Sequence, residues 1–254
     1  MNGGPRAPSP TEAVIWHDVE CGAYDGDLRL WEELAAVHGD PILELGAGTG
    51  RVSVHLARRG HRVVAVERDP ELAGELGRRA ESARIEVQVV TGAAEDLSLD
   101  ARFALALAPM QLLQLLGGSG VRRAALAACA ACLRPGGVLA AAIVDGLPPG
   151  ALPPDDEAQA PLPDVREVGG SVYASTPLGV AIVDGAIESR RRRQVVAPDG
   201  RITERLHVDR LALAGAAELE REAEAVGLRA VERTEIPPTD SHVGSTVLIL
   251  EVTR

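Results

Sequence analysis

The sequence predicts an α/β protein built on a doubly wound, mostly parallel sheet, and three observations point there. Short continuous apolar runs alternate with helically spaced segments along residues 42–144, as strands covered on both faces require. The first run, Ile42-Leu43-Glu44-Leu45, passes into Gly46-Ala47-Gly48-Thr49-Gly50 and then into apolar residues at helical spacing, Val52, Val54, Leu56 and Ala57. A second run, His61 to Val66, ends in an acid, Glu67. Strand, glycine turn and helix together form the unit that seats a ligand at the carboxyl edge of a parallel sheet.

The elements follow in order. Residues 1–10, rich in Pro and Gly, are expected to be disordered, and they lack the apolar core of a signal peptide. Residues 11–37 read as two helices broken near Cys21-Gly22. The first, around Val14-Ile15-Trp16, is placed to cover the mouth of a site, and the second buries Leu28, Trp31, Leu34 and Ala35. Residues 11–145 form the core: strand 42–45, helix 50–59, strand 62–66, helix 70–79, strands 85–90 and 104–108, helix 120–133 and strand 138–144. Residues 146–213 form an insertion. Its proline-rich, acidic start through Asp164 reads as a loop or hinge, followed by antiparallel strands over 168–183 and 186–213 with Pro198-Asp199-Gly200 as a hairpin turn. Residues 214–254 hold a helix over 216–226, stopped by Gly227, and two last strands over 228–236 and 246–252.

Composition narrows the function. The chain has 254 residues, enough for one medium α/β domain with an insertion. Apolar residues make up 46% but aromatics only 2%, so the core must be Ala, Leu and Val and an aromatic cage for a flat substrate is disfavoured. A net charge of −11 argues against nucleic acid, which needs a positive surface. No apolar run reaches membrane-spanning length, and a reducing cytoplasm is expected. Cys129 and Cys132 form a C-x-x-C near a helix end and read as small packing residues, with no second pair to complete a zinc site.

The glycine turn serves either a nucleotide or a sulfonium nucleoside, since an acid at the tip of the second strand can accept from two ribose hydroxyls in both. The dinucleotide fingerprint wants a further glycine where Arg51 stands, which weakens a nicotinamide-dependent reductase. The run Glu44 to Gly50 resembles motif I of the class I S-adenosylmethionine-dependent methyltransferases, [DE]-x-G-x-G-x-G. The similarity continues to Glu67 and resumes at Leu133-Arg134-Pro135-Gly136-Gly137, like the turn before that family's fifth strand. The resemblance implies a seven-stranded sheet of order 3-2-1-4-5-7-6 with strand 7 antiparallel, the N-terminal helices and the antiparallel insertion acting as a lid. It also implies S-adenosylmethionine as cofactor, with S-adenosylhomocysteine as product.

Carried over residue by residue, the resemblance assigns Gly46, Ala47 and Gly48 a close backbone approach to the cofactor. It assigns Glu44 the cofactor ammonium, directly or through water, and Glu67 the ribose. Arg68, Ala108 and Met110 fall in the same region, with Gln111 beside them. Tyr24 of a Tyr-Asp pair either caps the methionine end or packs at a helix start. The family's adenine-binding Asp is replaced by Ala93, so adenine is expected against the backbone at Ala94 with help from Glu95; Asp96 is the other candidate. Gln114 is expected only to cap or pack.

For a general base the chain offers Asp145 and His242, with His17 and His207 behind them; a neutral amine acceptor needs only orientation and removal of water. No metal is expected. Arg190 to Arg193 alternate faces along a strand, two per side, and read as ion-paired rather than as a nucleic-acid patch. The partner expected is a small-molecule acceptor at N or O, with neither nucleic acid nor membrane and with a homodimer left open. The competing expectation is a protein that binds the cofactor without transferring methyl.

Overall fold

The computed structural model describes residues 10–146, 162–239 and 242–253. The expectations of disorder over residues 1–9 and of a loop over 147–161 lie outside them. Two helices lead, α1 (Glu12–Glu20) and α2 (Leu28–His38). The core continues as β1 (Ile42–Leu45), α3 (Arg51–Ala57), β2 (Val63–Glu67), α4 (Pro70–Ala83), β3 (Val87–Thr91) and β4 (Phe103–Ala108). It closes with a one-turn helix α5 (Leu112–Leu115), α6 (Ser119–Cys132) and β5 (Leu133–Ile143). Then come four antiparallel strands, β6 (Asp164–Val168), β7 (Ser171–Val183), β8 (Ala186–Val196) and β9 (Ile202–Ala212). The chain ends with α7 (Ala216–Glu224), β10 (Leu228–Ile236) and β11 (Ser245–Val252).

The main sheet has the order β10-β11-β5-β4-β1-β2-β3, in which β11 runs antiparallel to both neighbours. That is the expected order, and its alternating side chains build two cores. Leu43, Leu45, Ala106, Leu139 and Leu248 pack with Leu126 and Cys129 of α6 and Leu219 of α7. Ile42, Leu105, Leu107, Ala140 and Val247 pack on the opposite face with Trp31 of α2 and Leu56 of α3. With so few aromatics, the sheet centre is filled by Ala and Leu, and both Cys129 and Cys132 are buried, free packing residues.

Differences from expectation have local causes. Strand β5 starts at Leu133 rather than 138 because Leu133 already pairs with Phe103, and the register then shifts before Leu105 meets Val138. Gly137 belongs there because a Cβ would lie 2.8 Å from the Arg134 carbonyl oxygen. Strand β6 falls partly where a loop was expected. Its Val165 is largely exposed, so no apolar alternation marks it, and it exists by pairing Asp164 to Val168 along β7. Helix α5 is too short for periodicity to reveal. It is fastened by the buried Gln114, whose amide donates to the Val144 and Ala214 carbonyls and accepts from Val144 N–H at 2.8 Å. Gln114 therefore pins α5 to the end of β5 and to the start of α7, more than the packing role expected of it.

Candidate functional site

A cavity of about 1130 Å³ opens where the carboxyl ends of β1, β2 and β4 meet α1 and the antiparallel sheet. The cofactor candidates Tyr24, Glu44, Gly46, Ala47, Gly48, Glu67, Arg68 and Met110 all line it, as does Gln111. So do His17, His207 and His242. Three candidates for the cofactor, Ala94, Glu95 and Ala108, are not among its lining residues. Ala94 is buried in the short 3-10 turn after β3 and Ala108 is wholly enclosed in β4, so neither presents a free surface to this cavity.

The glycine turn brings a further correction. Bare main chain was expected, yet each glycine is covered by a side chain of this same protein. A Cβ at Gly48 would overlap His17 Nε2, at Gly46 it would lie 2.8 Å from Leu112 Cδ1, and at Gly50 2.7 Å from Leu76 Cγ. All three glycines have positive φ, 66°, 56° and 91°, which a Cβ disfavours. The turn thus needs glycine both for its backbone shape and for the close approach of α1, α5 and α4.

Around it the carboxylates are well placed. Glu67 is buried, its Oε2 accepting from Gly48 N–H and its Oε1 from Asp69 N–H, each at 2.8 Å. A carboxylate has about four acceptor directions, so two remain for hydroxyl donors. Glu44 is buried and accepts from the Ser53 hydroxyl of α3. Burial pushes its carboxyl up to about 7, against the opposing effect of the Ser53 hydrogen bond and the Arg51 charge. Arg51, where a dinucleotide fingerprint would have glycine, clamps the loop before α2. It donates to Asp27 at 2.7 Å and to the Tyr24 carbonyl at 3.0 Å, and its guanidinium lies 5.3 Å from the Tyr24 ring centre. Tyr24 in turn stacks on His242 with ring centres 4.4 Å apart, so the loop before α2 meets the loop before β11 over the cavity. Burial raises the Tyr24 phenol and lowers the His242 imidazole, which favours the neutral form of both.

The base candidates separate. His242 is in the cavity wall, whereas Asp145 is outside it, its Oδ1 accepting from Ala216 N–H at 3.0 Å to cap α7. A capping carboxylate at an exposed strand end is a structural group, so the base role expected of Asp145 is withdrawn. Among the described residues no cluster of three or more His, Cys, Asp or Glu stands ready to hold a metal.

The opposite wall is charged and paired. Arg191 and Arg193 point into the cavity, while Arg190 binds Glu188, as strand alternation predicts. Arg193 grips Glu20 of α1 through Nε at 2.6 Å and Nη2 at 2.5 Å; Ser175 donates to the same carboxylate at 2.8 Å. His207, on β9, leans on Asp209 at 3.2 Å. Two residues earlier in α1, Asp18 accepts from Thr49 of the glycine turn at 2.8 Å, from Arg166 of β6 at 2.5 Å and from Arg79 of α4. Burial alone would raise the Asp18 carboxyl, but the hydrogen bonds from Arg79 and Thr49 hold it below the ordinary range. Sequence reasoning found neither Asp18 nor Glu20, because their partners come from five distant segments.

Comparison with known proteins agrees with this geometry. A family model described as a methyltransferase domain matches residues 42–137. The ribosomal RNA small subunit methyltransferase A of Anaeromyxobacter dehalogenans is 42% identical over 99 residues, 32% of this chain and 35% of that protein. The ubiquinone biosynthesis O-methyltransferase of Nitrobacter winogradskyi is 26% identical over 137 residues, 54% of this chain and 50% of its own length. The chain therefore spans about a third to a half of the length of these curated relatives. Two solved structures follow nearly the whole chain. One is an amino pentose methyltransferase from Micromonospora echinaspora, solved with S-adenosylmethionine bound (TM-score 0.72, 20% identity, 98% of this chain and 100% of that one). The other is a sugar N-methyltransferase from Streptoalloteichus (TM-score 0.71, 17% identity, 100% and 97%). Sheet order and sequence point the same way: residues 42–137 match a methyltransferase domain, and the chain has the fold of the S-adenosylmethionine-bound structure it resembles.

Proposed function

We propose that this protein transfers a methyl group from S-adenosylmethionine to a nitrogen or oxygen of a small-molecule acceptor, with amine-bearing sugars the first class to test. One observation carries the reading: a single cavity runs from Glu44, Gly46–Gly48 and Glu67 at the sheet edge to Arg191 and His207 on the antiparallel sheet. That gives a cofactor end and an acceptor end. The residues present fit the cofactor. Glu67 keeps acceptor capacity for a diol, and Glu44 is a buried acid lining the same space, suited to an ammonium. The whole-chain likeness to sugar methyltransferases supports a small acceptor. Against the ribosomal RNA relatives stand the partial coverage and the net charge of −11.

Bound S-adenosylmethionine supplies an electrophilic methyl on sulfur. The chain's own work is to hold and to exclude: positioning of this kind lowers a barrier by roughly 7–11 kcal/mol. Met110 and Gln111, both at positive φ just past β4, line the reacting region, and Gln111 is fixed by donating to Ser245 Oγ at 2.9 Å. The stacked Tyr24 and His242 close the space from above. His242, held neutral by burial, can take a proton from a hydroxyl acceptor; a neutral amine needs only desolvation and aim. Calorimetry with S-adenosylhomocysteine tests the cofactor end, and mass spectrometry of S-adenosylhomocysteine release across a panel of amino sugars tests the acceptor end. Binding without release in any mixture would favour a protein that binds the cofactor but transfers nothing.

A further inference from the structure

We infer that His17 is a plug over the cofactor niche, and that its withdrawal is transmitted by α1 to the antiparallel sheet. This rests on the cofactor reading above and adds a regulation of the same site. The ring of His17 lies directly on Gly48: a Cβ there would stand 2.5 Å from its Cε1 and closer still to Nε2. Its Nδ1 sits 3.2 Å from the Thr49 hydroxyl. Nothing can lie on the Gly48 main chain while the ring is there. His17 also faces Glu67, whose charge bears on it along with those of Asp18, Arg79 and Arg51. The ring therefore fills the corner between the glycine turn and the ribose-binding acid, and it must leave before that corner can be used.

Its departure cannot stay local. The next residue, Asp18, is held by Thr49 and Arg79 on one side and by Arg166 of β6 on the other. Glu20 is held by Ser175 of β7 and Arg193 of β8. Trp16 lies edge-on to Tyr173 of β7, ring centres 5.3 Å apart. A rigid helix turn carrying all these ties moves the acceptor wall when His17 swings, so the two ends of the cavity are coupled through α1. The chain's other tryptophan, Trp31, is fully buried in the α2 face of the core, so Trp16 can report the motion alone.

The test uses the full chain in a Trp31→Phe background, with S-adenosylhomocysteine as probe, read by calorimetry and by Trp16 fluorescence. If the plugged state is about nine-tenths populated, removing the ring tightens apparent binding about tenfold. His17→Ala should therefore bind more tightly than wild type, and faster. His17→Phe, which keeps a ring of similar size, should not gain. Trp16 emission should shift on binding in the wild type and shift less in His17→Ala. Unchanged or weaker binding by His17→Ala, with the wild type binding normally, would overturn the plug and leave the cofactor reading intact. Failure of wild type and His17→Ala alike to bind, while circular dichroism shows both folded, would overturn the cofactor reading and the plug with it.

Discussion

The two walls of the cavity are built by opposite means. At the edge of the main sheet, groups are offered by backbone and by buried acids with few partners: Glu67 bridges two main-chain N–H groups and Glu44 meets a single serine. On the antiparallel sheet and α1, the groups are ion pairs spanning distant segments, Glu20 with Arg193 and Asp18 with Arg79 and Arg166. The first wall holds its polar groups on fixed backbone. The second is a mesh of compensated charges, polar without a strong net sign. A site with a constant partner on one side and a chosen partner on the other would be divided in this way.

Experiments can strain that contrast, the largest effect first. Gly48→Val puts a branched side chain at positive φ against His17; backbone strain of about 1–3 kcal/mol and overpacking of about 1–3 kcal/mol should lower stability by about 2–6 kcal/mol in urea denaturation. A stable variant would mean that α1 yields easily. Asp18→Ala removes the carboxylate shared by both walls. The loss should be about 2–3 kcal/mol, below that of a fully buried pair because Arg79 and Arg166 keep contact with water. Glu67→Ala should lower stability, because the Gly48 and Asp69 N–H groups lose their acceptor, and in the protein that remains folded it should weaken S-adenosylhomocysteine binding by about 1.5–3 kcal/mol, the scale of hydrogen bonds to a charged group. Equal affinity would remove the ribose assignment.

A fourth measurement is finer. Because burial raises the Glu44 carboxyl to about 7, its charged form fills in as pH rises through that value. If that charge holds the cofactor ammonium, affinity should strengthen about tenfold between pH 6 and pH 8 and fall again on acidification. Glu44→Gln should flatten the profile. The smallest effect is expected at the exposed pair of Arg205 with Glu12 on the rim, where Arg205→Ala should cost less than about 1 kcal/mol in stability.

Much of the main sheet could be read from residues alone because its information is local. Both faces of β1 and β4 are covered, so each is an unbroken apolar run, and the glycine turn sits between a strand and a helix that its neighbours announce. Glu67 was legible for the same reason, as the acid at a strand tip. The antiparallel sheet was harder. Half-exposed strands with charges on both faces, such as β8 with its four arginines, carry no clean alternation, and β6 carries none at all. Asp145 misled because an acid after the fifth strand looks free until α7 is seen to need a cap. Ala94 and Glu95 lie on the short turn after β3, outside the lining of this cavity, with Ala94 buried in the core.

Taken alone, the residues determined the alternation of strands and helices, the glycine turn at the carboxyl edge of the first strand and the acids Glu44 and Glu67 beside it, since each depends on residues adjacent in sequence and on a repeat of apolar spacing; the strand order came with the family resemblance. Only the folded molecule decided that His17 lies on Gly48, that Arg51 clamps the Tyr24 loop and that Asp18 and Glu20 rivet α1 between two sheets. Those contacts join segments far apart along the chain. Charge pairing has no period or spacing to betray it, because any arginine can answer any carboxylate until packing brings one pair within reach.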